Sequence, residues 1–175
     1  MNKYIALLRG INVGGHQVPM AKLKKTLEGI GYINVKTLLA SGNVVFEAEK
    51  ENLLLLTKKL EAALAKTFGF PISVLLRPVR DIEKLIKSEP FKGIKVTPET
   101  RLYVTFLSEK PKSLKIPELP SKDFQILSVT DATVCSVLRL SPEKGTVDLM
   151  GAIEKEFGKN VTTRNWNTVE KITKM

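Results

Sequence analysis

Residues 77–87 read RPVRDIEKLIK, and residues 164–174 read RNWNTVEKITK, so the chain ends on a segment that resembles one near its middle. Identical residues stand at four equivalent positions, namely Arg77 and Arg164, Glu83 and Glu170, Lys84 and Lys171, and Lys87 and Lys174. Self-similarity at a fixed offset predicts an internal duplication. Two unrelated helices that share common surface residues are the alternative.

The first copy has a hydrophobic pattern that alternates between strand and helix spacing. It predicts, in order, a strand at 3–9, a helix from Pro19 to Gly31, strands at 35–40 and 43–48, a helix from Leu53 to Gly69 and a strand at 72–77. This β-α-β-β-α-β order is typical of the ferredoxin-like split βαβ pattern. A further helix at 79–87 follows it.

The second half resembles a degenerate copy of the first. It predicts strands at 101–108, 124–129 and 132–140, a turn at 141–146 and a helix at 147–158. Three prolines between 111 and 120 exclude a long helix where the first helix of the copy is expected. We therefore expect an α+β fold of two similar ferredoxin-like subdomains, 1–90 and 99–175, whose antiparallel sheets carry helices on one face.

Composition limits the classes of protein to consider. The chain has 175 residues, of which 43% are hydrophobic and 26% charged, as in globular proteins. One cysteine, Cys135, excludes an internal disulfide, and one histidine argues against a polyhistidine metal centre or a catalytic triad. No apolar run is long enough for a leader or a membrane span. We expect a cytoplasmic protein without metal, cofactor or membrane contact.

The net charge of +10 is concentrated in the first half, where residues 1–98 carry 16 Lys and Arg against 8 Asp and Glu. An excess of basic residues favours an anionic partner, such as a phosphorylated small molecule or a nucleic acid. A solvated, lysine-rich surface is the simpler interpretation.

Three stretches hold more small and polar residues than folding requires. RGINVGG at 9–15 lies between a predicted strand and a helix, and its glycines allow a ligand to approach the backbone. It lacks both the P-loop and the dinucleotide-binding spacing, so a plain turn is an equally simple interpretation. SGN at 41–43 suits a hairpin turn and could also hydrogen-bond a ligand.

The third stretch, TTRNWNT at 162–168, is predicted to form a loop before the last helix. Asn167 and Glu170 have the spacing of a capping box, which would explain these two residues structurally. Arg164 could bind phosphate or carboxylate, and Trp166 could stack on a base or fill the core. None of the three stretches contains a carboxylate that could act as a general base. Their composition is therefore more typical of binding than of catalysis.

The segments LLRGINVGG at 7–15, LLASGNVVF at 38–46 and TTRNWNTVEKI at 162–172 resemble the signature stretches of a bacterial family, the domain-of-unknown-function family 1697. The resemblance covers essentially the whole chain. It implies two similar α+β subdomains and no known activity. It also implies that the signature falls on the glycines, asparagines, Arg9, Ser41, Arg164 and Trp166 of these stretches, and that His16 lies at a variable position.

The leading hypothesis is a protein that binds an anionic ligand at these three stretches. The expected ligand-binding residues are Arg9, Gly10, Asn12, Gly14, Gly15, Ser41, Asn43, Arg164, Asn165, Trp166 and Asn167. One alternative is an enzyme for a phosphate- or amide-bearing substrate that uses His16 or Asp148 in the same groove. Another is that the polar motifs only hold the two repeats together. An RNA-recognition protein fits poorly, because Tyr4 is the only aromatic residue of the first strand.

Overall fold

The chain forms two compact units, each built on one four-stranded antiparallel sheet. The computed structural model describes residues 1–119, 121–141 and 148–175. One unit comprises Met1–Lys84 with Lys171–Met175, and the other comprises Leu85–Glu170. Most of the turn predicted at 141–146 lies outside the described residues. The predicted α+β class is confirmed.

The first unit follows the predicted order of elements. Its elements are β1 (Asn2–Leu8), α1 (Met20–Gly29), β2 (Ile33–Leu38), β3 (Asn43–Ala48), α2 (Leu53–Phe68) and β4 (Val74–Pro78). Helix α3 (Val79–Lys87) then passes into the second unit. The strand order β2-β3-β1-β4, with every neighbouring pair antiparallel, is that of a split βαβ sheet.

Alternate residues of β1 build the core of the first unit. Tyr4, Ala6 and Leu8 share one buried cluster with the apolar residues of α1 and α2. Strand side chains alternate between faces, and helix side chains three or four apart share a face, so these spacings bring both helices onto one face of the sheet. Helix α2 is capped at its N-terminus by Asn52, whose side chain accepts a hydrogen bond from the Leu54 N–H, and at its C-terminus by Gly69.

In its described residues, the second unit repeats this sheet with one helix fewer. Its elements are β5 (Thr100–Leu107), β6 (Phe124–Val129), β7 (Thr133–Arg139), α4 (Leu149–Phe157), β8 (Val161–Asn165) and α5 (Trp166–Thr173). The order β6-β7-β5-β8 matches that of the first sheet. Within the described residues between β5 and β6, there is no helix, in line with the prolines there. Helix α5 passes into the first unit.

The expectation that residues 162–168 form a loop is wrong. Strand β8 runs through Asn165 and pairs with β5, and helix α5 begins at Trp166. Arg164 lies opposite Val104 in this pairing, and Arg77 lies opposite Ile5 in the β1–β4 pairing. The two arginines of the sequence repeat therefore occupy equivalent places, one residue before the end of the last strand of each sheet.

The cysteine of β7 offers a test of the second sheet. Cys135 is 1% exposed, and burial raises the pKa of its thiol, against the opposing effect of a hydrogen bond with Ser128. Since the thiolate is the reactive form, we expect no reaction with Ellman's reagent at pH 8 in the native protein. One thiol per chain should react in denaturant. Rapid labelling of the native protein would contradict this placement.

Candidate functional site

The loop between β1 and α1 is a compact, solvent-facing turn, here called the glycine loop (residues 9–17). The Asn12 N–H donates to the His16 carbonyl at 2.7 Å, and the His16 N–H donates to the Val13 carbonyl at 3.1 Å. Gly14 and Gly15 have φ values of +57° and +86°, which residues with a side chain rarely adopt. Residues 13–17 are all exposed. The loop therefore presents bare backbone to solvent.

The side chain of Asn12 connects the glycine loop to the second polar stretch. Its Oδ1 accepts a hydrogen bond from the Val18 N–H at 2.8 Å, and its Nδ2 donates to the Ala40 carbonyl at 2.6 Å. Asn12 itself has a φ of +55°, a conformation that asparagine tolerates better than most residues. Both ends of this amide are thus used in shaping the loop.

The SGN stretch lies against the glycine loop. The Leu8 N–H donates to the Gly42 carbonyl at 2.8 Å. Asn43 is fully buried at the start of β3, where its Nδ2 donates to the Leu38 carbonyl at 3.0 Å and to the Ser41 Oγ at 2.9 Å. The structure therefore brings the first two predicted stretches together, with Asn43 inside and Ser41 exposed.

Gly42 makes this close approach possible. A Cβ at this position would lie 2.6 Å from the Ile11 Cδ1 and 2.8 Å from the Leu8 Cβ, and φ is +75°. Ile11 is buried and belongs to the core cluster of the first unit. The absence of a side chain at residue 42 thus lets the glycine loop and the β2–β3 turn share a packed contact.

The third stretch belongs to the second unit, where Arg164 is half-buried. Its Nη1 donates to the Thr162 Oγ1 at 2.8 Å and to the Thr163 carbonyl at 3.0 Å, and burial lowers the pKa of the guanidinium to about 10. The equivalent Arg77 donates from Nη1 to the Leu76 carbonyl at 2.8 Å, and burial also lowers its pKa. In both sites the guanidinium thus donates to the carbonyl of the residue that precedes the arginine.

The residues after Arg164 start helix α5. The Asn165 Oδ1 accepts a hydrogen bond from the Asn167 N–H at 3.0 Å, so Asn165 is the capping residue. The expectation that Asn167 caps this helix is wrong, because the helix begins one residue before it. Trp166 is half-buried and packs edge-on against Phe91, with ring centroids 5.0 Å apart. That the third stretch meets the first two around one ligand stays a prediction.

The sequence reasoning missed a row of rings beside the glycine loop, here called the ring row (His16, Phe70, Phe68 and Lys22). The imidazole of His16 stacks on the Phe70 ring at 4.4 Å and 17°. Phe70 and Phe68 lie 6.4 Å apart, and the Lys22 Nζ lies 5.2 Å from the centre of the Phe68 ring. The feature of the sequence that could have indicated these rings is the Phe68-Gly69-Phe70 segment at the end of α2.

The candidate catalytic residue Asp148 has a structural partner. Its Oδ1 accepts a hydrogen bond from the Gly151 N–H at 2.8 Å, and the side chain caps α4. Within the described ranges, no cluster of three or more His, Cys, Asp and Glu side chains could hold a metal ion. None of the helices in the described residues is both long and apolar enough to cross a membrane.

Comparison with known proteins gives a family. The sequence profile of the family described as "Protein of unknown function (DUF1697)" matches residues 1–133. The chain belongs to this family. The match to DUF1697 includes the glycine loop and the SGN stretch and ends before the TTRNWNT stretch, so the role of the latter in the family signature stays a prediction.

One solved structure similar to this chain is that of the conserved bacterial protein SP0830 from Streptococcus pneumoniae. The TM-score is 0.72 at 25% identity, and the alignment covers 100% of this chain and 98% of that one. No curated protein matches the chain. The comparisons therefore confirm the recognised family and the fold, and they name no activity.

The contact at Gly42 can be tested by adding one methyl group. We expect Gly42→Ala to lower the free energy of unfolding by about 2 kcal/mol, because the new Cβ overlaps Leu8 and the backbone must keep a positive φ. Gly29→Ala is the control, since its Cβ meets nothing within 4 Å near the end of α1. Urea unfolding of both variants measures the difference. Equal stabilities would contradict the packed contact.

Proposed function

We propose that the protein binds an anionic ligand, a phosphorylated small molecule or a nucleic-acid segment, on the glycine loop of the first unit. The observation that carries the proposal concerns four exposed residues, Gly10, Val13, Gly14 and Gly15. Within residues 1–119, 121–141 and 148–175, no acceptor takes a hydrogen bond from their backbone N–H groups. Several N–H groups on one loop suit the oxygens of a phosphate.

The charge around the loop supports an anion. Residues 1–46 contain six basic residues, Lys3, Arg9, Lys22, Lys24, Lys25 and Lys36, and a single acidic residue, Glu28. Arg9 begins the glycine loop, and its backbone N–H donates to the Ser73 carbonyl at 3.0 Å, which fixes the base of the side chain. An arginine in this place can add a charged, two-pronged contact to a phosphate already held by backbone donors.

The proposal divides the predicted residues by role. Gly10, Gly14 and Gly15 supply backbone donors and Arg9 supplies charge, whereas Asn12 and Asn43 hold the loop in shape through the hydrogen bonds described above. Ser41, which is exposed beside them, is a further ligand contact. Arg164, Asn165, Trp166 and Asn167 stay in the proposal as ligand-binding residues of the second unit. We also place the protein in the cytoplasm, whose reducing conditions suit a free thiol at Cys135.

A direct test compares two arginines of the first unit. We expect Arg9→Gln to weaken the binding of pyrophosphate and ATP about tenfold at low salt and to reduce the slope of log K against log salt by about one. Arg80→Gln, which changes an exposed arginine on α3, is the matched control and should bind normally. Isothermal titration measures both.

Two outcomes of this titration would contradict the proposal. One is the absence of binding of any phosphate compound to the wild-type protein at low salt. The other is an equal loss of affinity in Arg9→Gln and Arg80→Gln, which would indicate a general effect of charge rather than a site on the glycine loop.

A second candidate role is purely structural, and the hydrogen bonds of Asn12 and Asn43 favour it for these two residues. We expect Asn43→Ala to cost about 2 kcal/mol of stability, because the fully buried Asn43 amide is lost and the partly buried Leu38 carbonyl loses its donor. Ser41→Ala, at an exposed position, should cost less than about 0.5 kcal/mol. Urea unfolding measures both. A neutral Asn43→Ala would remove the structural role.

A further inference from the structure

We propose that the ligand of the glycine loop carries a nucleobase, so that it is a nucleotide, either free or within a single strand. This inference rests on the proposed function and adds the chemical class of the ligand. It follows from the position of the ring row, whose first member, His16, is itself part of the glycine loop.

His16 offers a flat surface with a fixed orientation. Its ring is nearly parallel to that of Phe70, at 4.4 Å and 17°, so one face is covered while the residue as a whole is exposed. Phe70 and Phe68 are half-buried and pack against the core of the first unit, which supports the stack from below. Every base has a π-face that can stack on such a ring without regard to sequence.

The same turn holds the ring and the phosphate donors. Gly14 and Gly15 directly precede His16, and the His16 carbonyl and N–H both bond within the turn. Because neighbouring Cα atoms are only about 3.8 Å apart, one nucleotide is long enough to stack its base on His16 and place its phosphate on the glycine N–H groups. A phosphorylated sugar would use the N–H groups and leave the ring row unused.

Lys22 extends the basic surface along the row. Its Nζ lies 5.2 Å from the centre of the Phe68 ring, which is a favourable cation–π distance. The cation is thereby held beside the Phe68 ring, where it is available to a second phosphate of a strand or of a di- or triphosphate. Single-stranded nucleic-acid sites likewise combine aromatic rings with basic side chains.

The test separates the contribution of the base to the binding affinity from that of the phosphate. Ribose 5-phosphate, AMP and a five-residue oligoadenylate are titrated against the full chain at low salt. We expect AMP to bind about tenfold more tightly than ribose 5-phosphate, the difference being the stacked base. If the oligoadenylate binds more tightly than AMP, the inference is supported and the ligand is a single strand. If the oligoadenylate and AMP bind with equal affinity, the inference is supported and the ligand is a free nucleotide.

Variants of the loop assign the effect to His16. His16→Ala should remove the preference for AMP and leave the affinity for ribose 5-phosphate unchanged, whereas His16→Phe should keep the preference because it keeps a ring. Gln17→Ala, which changes the next exposed residue, is the matched control and should behave as wild type. Amide chemical shifts of residues 9–17 report whether the binding is on the loop.

The outcomes distinguish failure of this inference from failure of the proposed function. Equal affinities for AMP and ribose 5-phosphate, with no effect of His16→Ala, would overturn the inference that the ligand carries a nucleobase. The proposal of anion binding would remain. A His16→Ala variant that loses both ligands equally would also overturn it, because the ring would then only shape the loop. If neither ligand binds the wild-type protein, the proposed function itself fails.

Discussion

The amide of Asn12 is the constraint on which the candidate site depends. One end of the side chain fixes the exit of the glycine loop at Val18, and the other reaches across to the Ala40 carbonyl before the β2–β3 turn. Two segments far apart in the chain are thereby held against each other, and Gly42 leaves the space in which they meet. The exposed N–H groups of the loop owe their fixed positions to this bridge, because loops without such ties are mobile.

Most of the fold could be predicted because local signals agreed with the tertiary structure. Short continuous apolar runs predicted β1 and β3, and glycines at 69 and 158 marked the ends of α2 and α4. Strand β8 was missed for a physical reason: only Val161 in its sequence is apolar, and its strand conformation depends on pairing with β5. The conformation of such a segment depends on pairing with a strand that is distant in sequence.

The site was predicted only in part. Its glycines and polar residues stand out in the sequence, and the first two stretches do adjoin. The roles of Asn12 and Asn43 could not be predicted. The side-chain amide of asparagine can hydrogen-bond either a ligand or a backbone carbonyl, and the sequence does not show which partner it has. The stacking of His16 on Phe70 likewise joins two segments that only the folded chain brings into contact.

The duplicated arginines have a consequence for the edges of the two sheets. Strands β4 and β8 each form an outer strand of their own sheet, and each carries its half-buried arginine one residue from the strand's end. A charged side chain on an outer strand is one of the features that disfavour the addition of a foreign strand. The sequence repeat therefore places the same partly buried charge on the outer strand of each sheet.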